Sequence, residues 1–248
     1  RRFLAEGPQA VSDALARPGT MLELIVADDS VERHRDLIDR ASSAGARIGV
    51  ASVPAVSQLS ATVTPQGLVA VCQMIDVSTV EALGGAPRLV VFCDQVRDPG
   101  NLGTVIRCAD AFGADAVLVS RDSVDVYNAK AVRATTGSLF HLPITIGVDL
   151  GEAITLARNS GLQVFGADAA APYTIDDLAA SGQLALPTMW VMGNEAWGLS
   201  PEHQSLLDRS VALPLYGRAE SLNLSTAAAV FLYASATAQR ANKSATVQ

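Results

Sequence analysis

A parallel α/β sheet covered by helices on both faces, preceded by a smaller α/β unit, is the architecture that this 248-residue sequence predicts. Two observations predict it. Between residues 88 and 240, short continuous apolar runs recur between segments of helical period. Strands read this way when both of their faces are covered, because neither meets water. Hydrophobic residues make up 49% of the chain and charged residues 17%, enough apolar mass to fill such a core and far from a disordered composition.

The elements follow in order. Residues 6–16 carry Val11 and Leu15 at helical spacing. Residues 22–27 read as a buried strand. Ser30 is a candidate N-cap for a helix reaching residue 44, ended by Gly45. Strands at 47–51 and 67–74 complete a small unit spanning residues 1–75. Residues 76–87, with Asp76, Gly84-Gly85 and Pro87, read as a linker with one helical turn. Strands are then expected at 89–93, 116–119, 163–167, 189–192 and 211–213. An Ala-rich helix runs from about 225 to 240, and the polar tail 241–248 is expected to fray. No internal repeat is present.

Composition excludes several classes. No apolar run approaches the roughly 18–20 uncharged residues of a membrane helix. Arg1-Arg2-Phe3-Leu4-Ala5-Glu6 lacks the apolar stretch of a signal peptide, and so abrupt a start is compatible with a longer natural N-terminus. Cys72, Cys93 and Cys108 sit in apolar segments and read as buried, reduced thiols of a cytoplasmic protein. His34, His141 and His203 are scattered, with no second ligand at metal spacing, so no metal is expected. The net charge of −7 opposes general attraction to nucleic acid, and any RNA-binding surface must be a local basic patch.

Three segments can carry chemistry. The first, residues 94–107, leaves an apolar strand, turns at Pro99-Gly100 and enters a helix that Asn101 can cap, with Arg107 about one and a half turns on. A plain strand-turn-helix corner with a surface arginine explains it equally well. Its Gly-x-x-Gly is not the Gly-x-Gly-x-x-Gly of dinucleotide sites, which argues against an oxidoreductase. In the second, residues 190–200, a buried strand runs into Gly193-Asn194-Glu195-Ala196-Trp197-Gly198. Ligands of parallel sheets sit at such strand ends, although an ordinary loop with Ser200 capping the next helix fits too. The third, residues 213–227, leads from a strand through Pro214 and a polar loop to Ser221-Leu222-Asn223-Leu224-Ser225. There a long helix of small residues opens, capped by Ser221 or Asn223.

Together, and in this order, the three segments resemble the signature motifs of the SpoU (TrmH-like) family of SPOUT-class RNA 2′-O-ribose methyltransferases. Asn101 and Arg107 match the first motif, Gly193 and Glu195 the second, and Ser221, Asn223 and the small-residue helix the third. The likeness covers about residues 88–240. Residues 125–134 share it, and residues 3–75 resemble more weakly the N-terminal RNA-binding domain that many members carry.

The resemblance implies a trefoil-knotted methyltransferase domain (88–240), an N-terminal substrate-binding domain (1–75), a linker (76–87) and a flexible tail (241–248). It implies S-adenosyl-L-methionine as cofactor, held around Gly193, Asn194, Leu213, Leu222 and Leu224. Asn101, Arg107, Glu195, Ser221 and Asn223 are the implied catalytic set, with Glu195 fixing the loop or Arg107, and Asn101 orienting the ribose or Arg107. Arg97, Arg133 and Arg218 are the candidate RNA contacts, although Arg133 is also readable as a solvated helix position. A homodimer is implied, seated on the helix around Phe231, Leu232 and Tyr233. Ribosomal (23S) RNA is the expected substrate. A transfer-RNA methyltransferase, or a non-catalytic RNA-binding protein on the same fold, is the alternative.

Overall fold

The computed structural model of the chain describes residues 1–60 and 65–246. The chain divides into two compact units, residues 1–75 with 125–141, and residues 76–124 with 142–248.

The first unit opens with β1 (Arg2–Glu6), α1 (Pro8–Ala16), β2 (Met21–Ala27), α2 (Arg35–Ser43), β3 (Arg47–Ala51), α3 (Val53–Leu59) and β4 (Leu68–Gln73). Its sheet has the order β1-β4-β2-β3; β4 pairs antiparallel with both neighbours, and β2 pairs parallel with β3. The first strand, β1, was not anticipated. Its alternation is legible only as Phe3 and Ala5, both buried against the unit's core. Ser30 does not cap a long helix. It is buried in a single 3-10 turn, and α2 starts after His34 without a side-chain cap. Gly45 does follow the helix, with the positive φ of 85° that favours glycine.

The second unit contributes α4 (Thr79–Leu83), β5 (Leu89–Cys93), α5 (Pro99–Phe112) and β6 (Ala116–Ser120). After β6 the chain returns to the first unit for α6 (Ala129–Thr135). There Tyr127 lies 4.7 Å from Phe3, ring to ring, and its hydroxyl accepts a 2.9 Å hydrogen bond from the Ile75 amide. These aromatic contacts are why the segment packs with residues 1–75, where the expected boundaries had it inside 88–240.

The chain then completes the second unit with β7 (Ile144–Val148), α7 (Leu150–Asn159), β8 (Gln163–Ala167), β9 (Tyr173–Thr174), α8 (Ile175–Ala180), β10 (Thr188–Met192), α9 (Pro201–Leu206), β11 (Arg209–Ala212) and α10 (Leu224–Thr246). The seven strands are all parallel, in the order β7-β6-β5-β10-β8-β11-β9.

Both sheet faces are covered, as the continuous apolar runs require. On one, Val90, Phe92, Leu118, Val164 and Val191 pack against Leu83, Leu150 and Ile154 from α4 and α7. The 76–87 segment is therefore part of this core and not a free linker: Ser78 caps α4, and Leu83 is 2% exposed. On the other face, the fully buried Trp190 lies 4.4 Å, ring to ring and tilted, from Phe231 of α10 and donates its indole N–H to Ser235 at 2.9 Å. Helix α10 runs on to Thr246, through most of the tail expected to fray; residues 247–248 lie outside the described residues.

Candidate active site

Strands β5, β10 and β11 end on one side of the sheet, and the three sequence segments leave from those ends. Asp98, not Asn101, caps α5, accepting the Asn101 amide at 2.8 Å with Pro99 in the first helical turn. Asn101 lies inside the helix, which frees its side chain. Its carboxamide donates to Glu195 Oε1 at 3.1 Å, and its oxygen accepts from Asn223 Nδ2 at 3.0 Å. One side chain from each segment thus joins a single chain of hydrogen bonds.

Glu195 is the hub. Its carboxylate also accepts the Arg97 and Asp98 amides, both at 3.1 Å. Partial burial pushes its carboxyl upward, but hydrogen bonds from Asn101 and from backbone amides outweigh this and hold it below its ordinary value. The expected bond from Glu195 to Arg107 is absent. Arg107 is exposed on α5, six residues beyond Asn101, which is roughly 120° round the helix and about 9 Å along it. It makes no hydrogen bond or ion pair among the described residues.

The loop after β10 is built around Gly193. A Cβ there would come within 2.6 Å of the Gly198 backbone, so only glycine lets the loop fold back on itself. Asn194 and Gly198 exchange two backbone hydrogen bonds of 2.9 Å. The Asn194 carboxamide donates to the Gln95 carbonyl at 2.7 Å and accepts the Ala196 amide at 2.8 Å. Gln95 itself adopts a φ of +54°, a strained value for a non-glycine residue.

Beside this loop lies a cavity of about 340 Å³. Its walls include all five residues expected at a cofactor: Gly193, Asn194, Leu213, Leu222 and Leu224. Glu195 and Ser221 line it as well, whereas Asn101, Asn223 and Arg107 do not. The Asn223 side chain donates to Asn101 and accepts from the Ser225 amide and hydroxyl and the Thr226 amide at the start of α10.

The candidate RNA contacts separate. Arg97 and Arg218 are exposed and unpaired among the described residues. Arg133 lies in the first unit, partly buried, and is ion-paired with Glu6 at 3.3 Å, so it is not a simply solvated helix position. Cys72 and Cys93 are buried, and burial pushes both thiols up to about 12; Cys108 is only half-buried, a correction to the expected burial of all three.

Three features were missed by sequence reasoning. Asp168 lines the cavity from the end of β8, held by Gln204 at 3.2 Å. Trp197 stands at the cavity rim, 59% exposed. Buried Asp94 lies 2.6 Å from Nδ1 of His203, tying α9 to the end of β5. Burial raises the Asp94 carboxyl above its ordinary value against the opposing pull of His203. At a sequence separation of 109, no spacing rule finds that pair. Among the described residues no group of three or more His, Cys, Asp or Glu side chains could hold a metal ion, and no helix is long and apolar enough to cross a membrane.

Comparison with known proteins bears on this geometry. The model of the "SpoU rRNA Methylase family" matches residues 88–233, and that of "RNA 2′-O ribose methyltransferase substrate binding" matches residues 4–77. The chain is 36% identical over 233 residues to the 23S rRNA (guanosine(2553)-2′-O)-methyltransferase RlmP of Bacillus subtilis, covering 93% of this chain and 87% of that protein. Among solved structures, the SpoU methyltransferase AviRb of Streptomyces viridochromogenes superposes with a TM-score of 0.83 at 27% identity, covering 97% of this chain and 91% of that one. An AdoMet-bound rRNA methyltransferase of Sinorhizobium meliloti gives 0.79 at 29% identity, covering 95% and 87%. With one model spanning more than half its length and a relative at this identity across most of it, the chain belongs to the SpoU rRNA methylase family.

Proposed function

We propose that this protein transfers the methyl group of S-adenosylmethionine to a ribose 2′-hydroxyl of 23S ribosomal RNA. The observation that carries the reading is the convergence of Asn101, Glu195 and Asn223, from three separate segments, in one hydrogen-bonded chain beside a single cavity. The named activity of RlmP supports the choice of substrate.

The cavity fits the cofactor. Its volume of about 340 Å³ falls in the small-molecule range of roughly 300–1,000 Å³. Leu213, Leu215, Leu222 and Phe231 offer apolar walls to an adenosine, while Asp168 and Glu195 bring negative charge to a cationic ligand. When bound, S-adenosylmethionine supplies an electrophilic methyl group.

The chain's own residues prepare the nucleophile. A ribose hydroxyl attacks poorly until its proton leaves. A guanidinium is effectively never deprotonated in proteins, so Arg107 is not assigned the role of base. It serves instead as a cationic donor that stabilises the developing alkoxide while the hydroxyl proton passes to solvent water, which reaches this exposed side chain. Glu195 stays ionised and holds the loop at Arg97 and Asp98, Asn101 and Asn223 orient the ribose, and Ser221 completes the wall. Arg97 and Arg218 contact phosphates; Arg133, already paired with Glu6, is structural.

The same reading includes a metal-independent reaction, the knotted chain path of the family and a cytoplasmic homodimer. On α10, Thr226, Val230, Tyr233, Thr237 and Arg240 form one exposed stripe, with Val230 42% and Tyr233 60% exposed. Phe231 and Leu232 are buried within the chain's own core, so the seam shifts to Val230 and Tyr233.

The test is transfer of labelled methyl to an unmodified 23S rRNA transcript, with and without chelator, followed by mapping of the modified ribose. One 2′-O-methyl site in 23S rRNA is expected, unaffected by chelation. Incorporation only into transfer RNA would overturn the substrate, and no cofactor binding by calorimetry would overturn the activity.

A further inference from the structure

Trp197 is out of place by the ordinary economy of burial. An indole covers 150–250 Å² when it packs, and packing that area is among the larger stabilising contributions a side chain makes. Trp197 is nevertheless 59% exposed, and its side chain has no ring partner or hydrogen bond among the described residues. The other tryptophan, Trp190, is fully buried between Phe165 and Phe231.

Its support is rigid. Trp197 sits between Asn194 and Gly198, whose backbones are joined by two hydrogen bonds of 2.9 Å. Asn194 is pinned to Gln95, and Glu195 to Arg97, Asp98 and Asn101. Gly198, with a φ of +68°, turns the chain back against Gly193. A five-residue loop closed at its base and anchored along one side thus presents a large π-face at the cavity mouth, two residues from Glu195.

We propose that Trp197 is the stacking platform for an RNA base next to the reactive ribose, a substrate-positioning residue. This rests on the RNA-methyltransferase reading above. A flat aromatic face recognises unstacked bases without needing a particular sequence, and a preorganised ring loses little freedom when it does so. The chain's net charge of −7 limits general attraction to RNA, so short-range stacking adds to the few arginine–phosphate contacts in holding the target nucleotide in register.

Because the chain contains two tryptophans and Trp190 is sealed in the core, intrinsic fluorescence reads Trp197 directly. Wild type, Trp197→Phe and Trp197→Ala are titrated with S-adenosylmethionine and then with an unmodified 23S rRNA transcript. RNA is expected to quench the Trp197 emission and shield it from acrylamide. Trp197→Ala is expected to raise KM for RNA about 5- to 100-fold, more than it lowers kcat, with Trp197→Phe recovering most of the loss. Its salt dependence of RNA binding should match wild type, since stacking releases no counterions.

An unchanged KM in Trp197→Ala would overturn the proposal. So would complete quenching by the cofactor alone with no further change on adding RNA, which would make Trp197 a lid on the cofactor. A fall to half the wild-type mass in light scattering for Trp197→Ala would make it a subunit contact instead. If wild type transfers methyl normally and Trp197→Ala fails these tests, only this inference falls; if wild type transfers none, the functional reading and the inference fall together.

Discussion

Glu195 and Arg107 are both charged, both leave the same sheet, and they stand in opposite circumstances. The Glu195 carboxylate accepts three hydrogen bonds, from the Arg97 and Asp98 amides and from Asn101. Arg107, with Arg97 and Arg218, presents a guanidinium bonded to nothing among the described residues. Glu195 should therefore matter to the architecture of the cavity, and Arg107, which does not line it, to the proposed reaction beside it.

The largest expected effect breaks that comparison most directly. Arg107→Ala should lower kcat by on the order of 10²–10³-fold while leaving cofactor affinity unchanged, because its charge acts where negative charge develops. Glu195→Ala should lower cofactor affinity and thermal stability as well, since it strips the partner from two amides and a carboxamide. Those bonds are partly in water and contribute at the low end of about 0.5–1.5 kcal/mol each. Single-turnover methylation beside calorimetry separates the two, and an Arg107→Ala enzyme with near-wild-type turnover would refute the assignment.

Gly193→Ala should come next. Its Cβ would press to 2.6 Å from the Gly198 backbone, which cannot yield as a flexible side chain would. The loop must shift, at about 1–3 kcal/mol as for other overpacked positions, and cofactor affinity should drop by tenfold or more. Unchanged affinity by calorimetry would show that the cavity tolerates an open loop.

The pH dependence of the Glu195 hub is smaller and has a definite sign. Its folded-state carboxyl is held below the ordinary value of 4.5, so its contribution is fully present above 4.5 and is lost as pH falls through the lower folded value. Cofactor binding should weaken on acidification in that window, and less so in Glu195→Gln, which keeps an acceptor oxygen but does not titrate. An identical acid profile for both proteins would assign the loss to another group, with the raised Asp94 carboxyl beside His203 the first to examine.

The strand-turn-helix corners were legible because β5, β6 and β10 are buried along their whole length and so read as unbroken apolar runs. The resemblance then gathered the five cofactor candidates, which do line one cavity. Asn101 was misread as a cap although Asp98-Pro99 carried the better signal, a carboxylate followed by proline. The partners of Glu195 lie 94 to 98 residues away, and the anchor of Tyr127 on Ile75 is 52 residues away. Such contacts are set by how the sheet closes, and no local period encodes them.

The smallest effect tests the unsatisfied side of the comparison, the arginines outside the reacting centre. Each cation that neutralises a phosphate releases about one counterion, so Arg97→Ala and Arg218→Ala should each reduce the slope of log affinity against log salt by about one unit. Cofactor affinity should not change, because neither side chain lines the cavity. Arg133→Ala is the internal control: its guanidinium is already paired with Glu6 at 3.3 Å, so removing it should lower thermal stability slightly and leave the salt slope intact. Filter-binding titrations of a 23S rRNA transcript from low to moderate salt measure all three. A slope that falls for Arg133→Ala and not for Arg97→Ala or Arg218→Ala would reverse the ordering. The phosphate contacts would then belong to residues 1–75 and 125–141, and the free arginines of the second unit would lose their assignment.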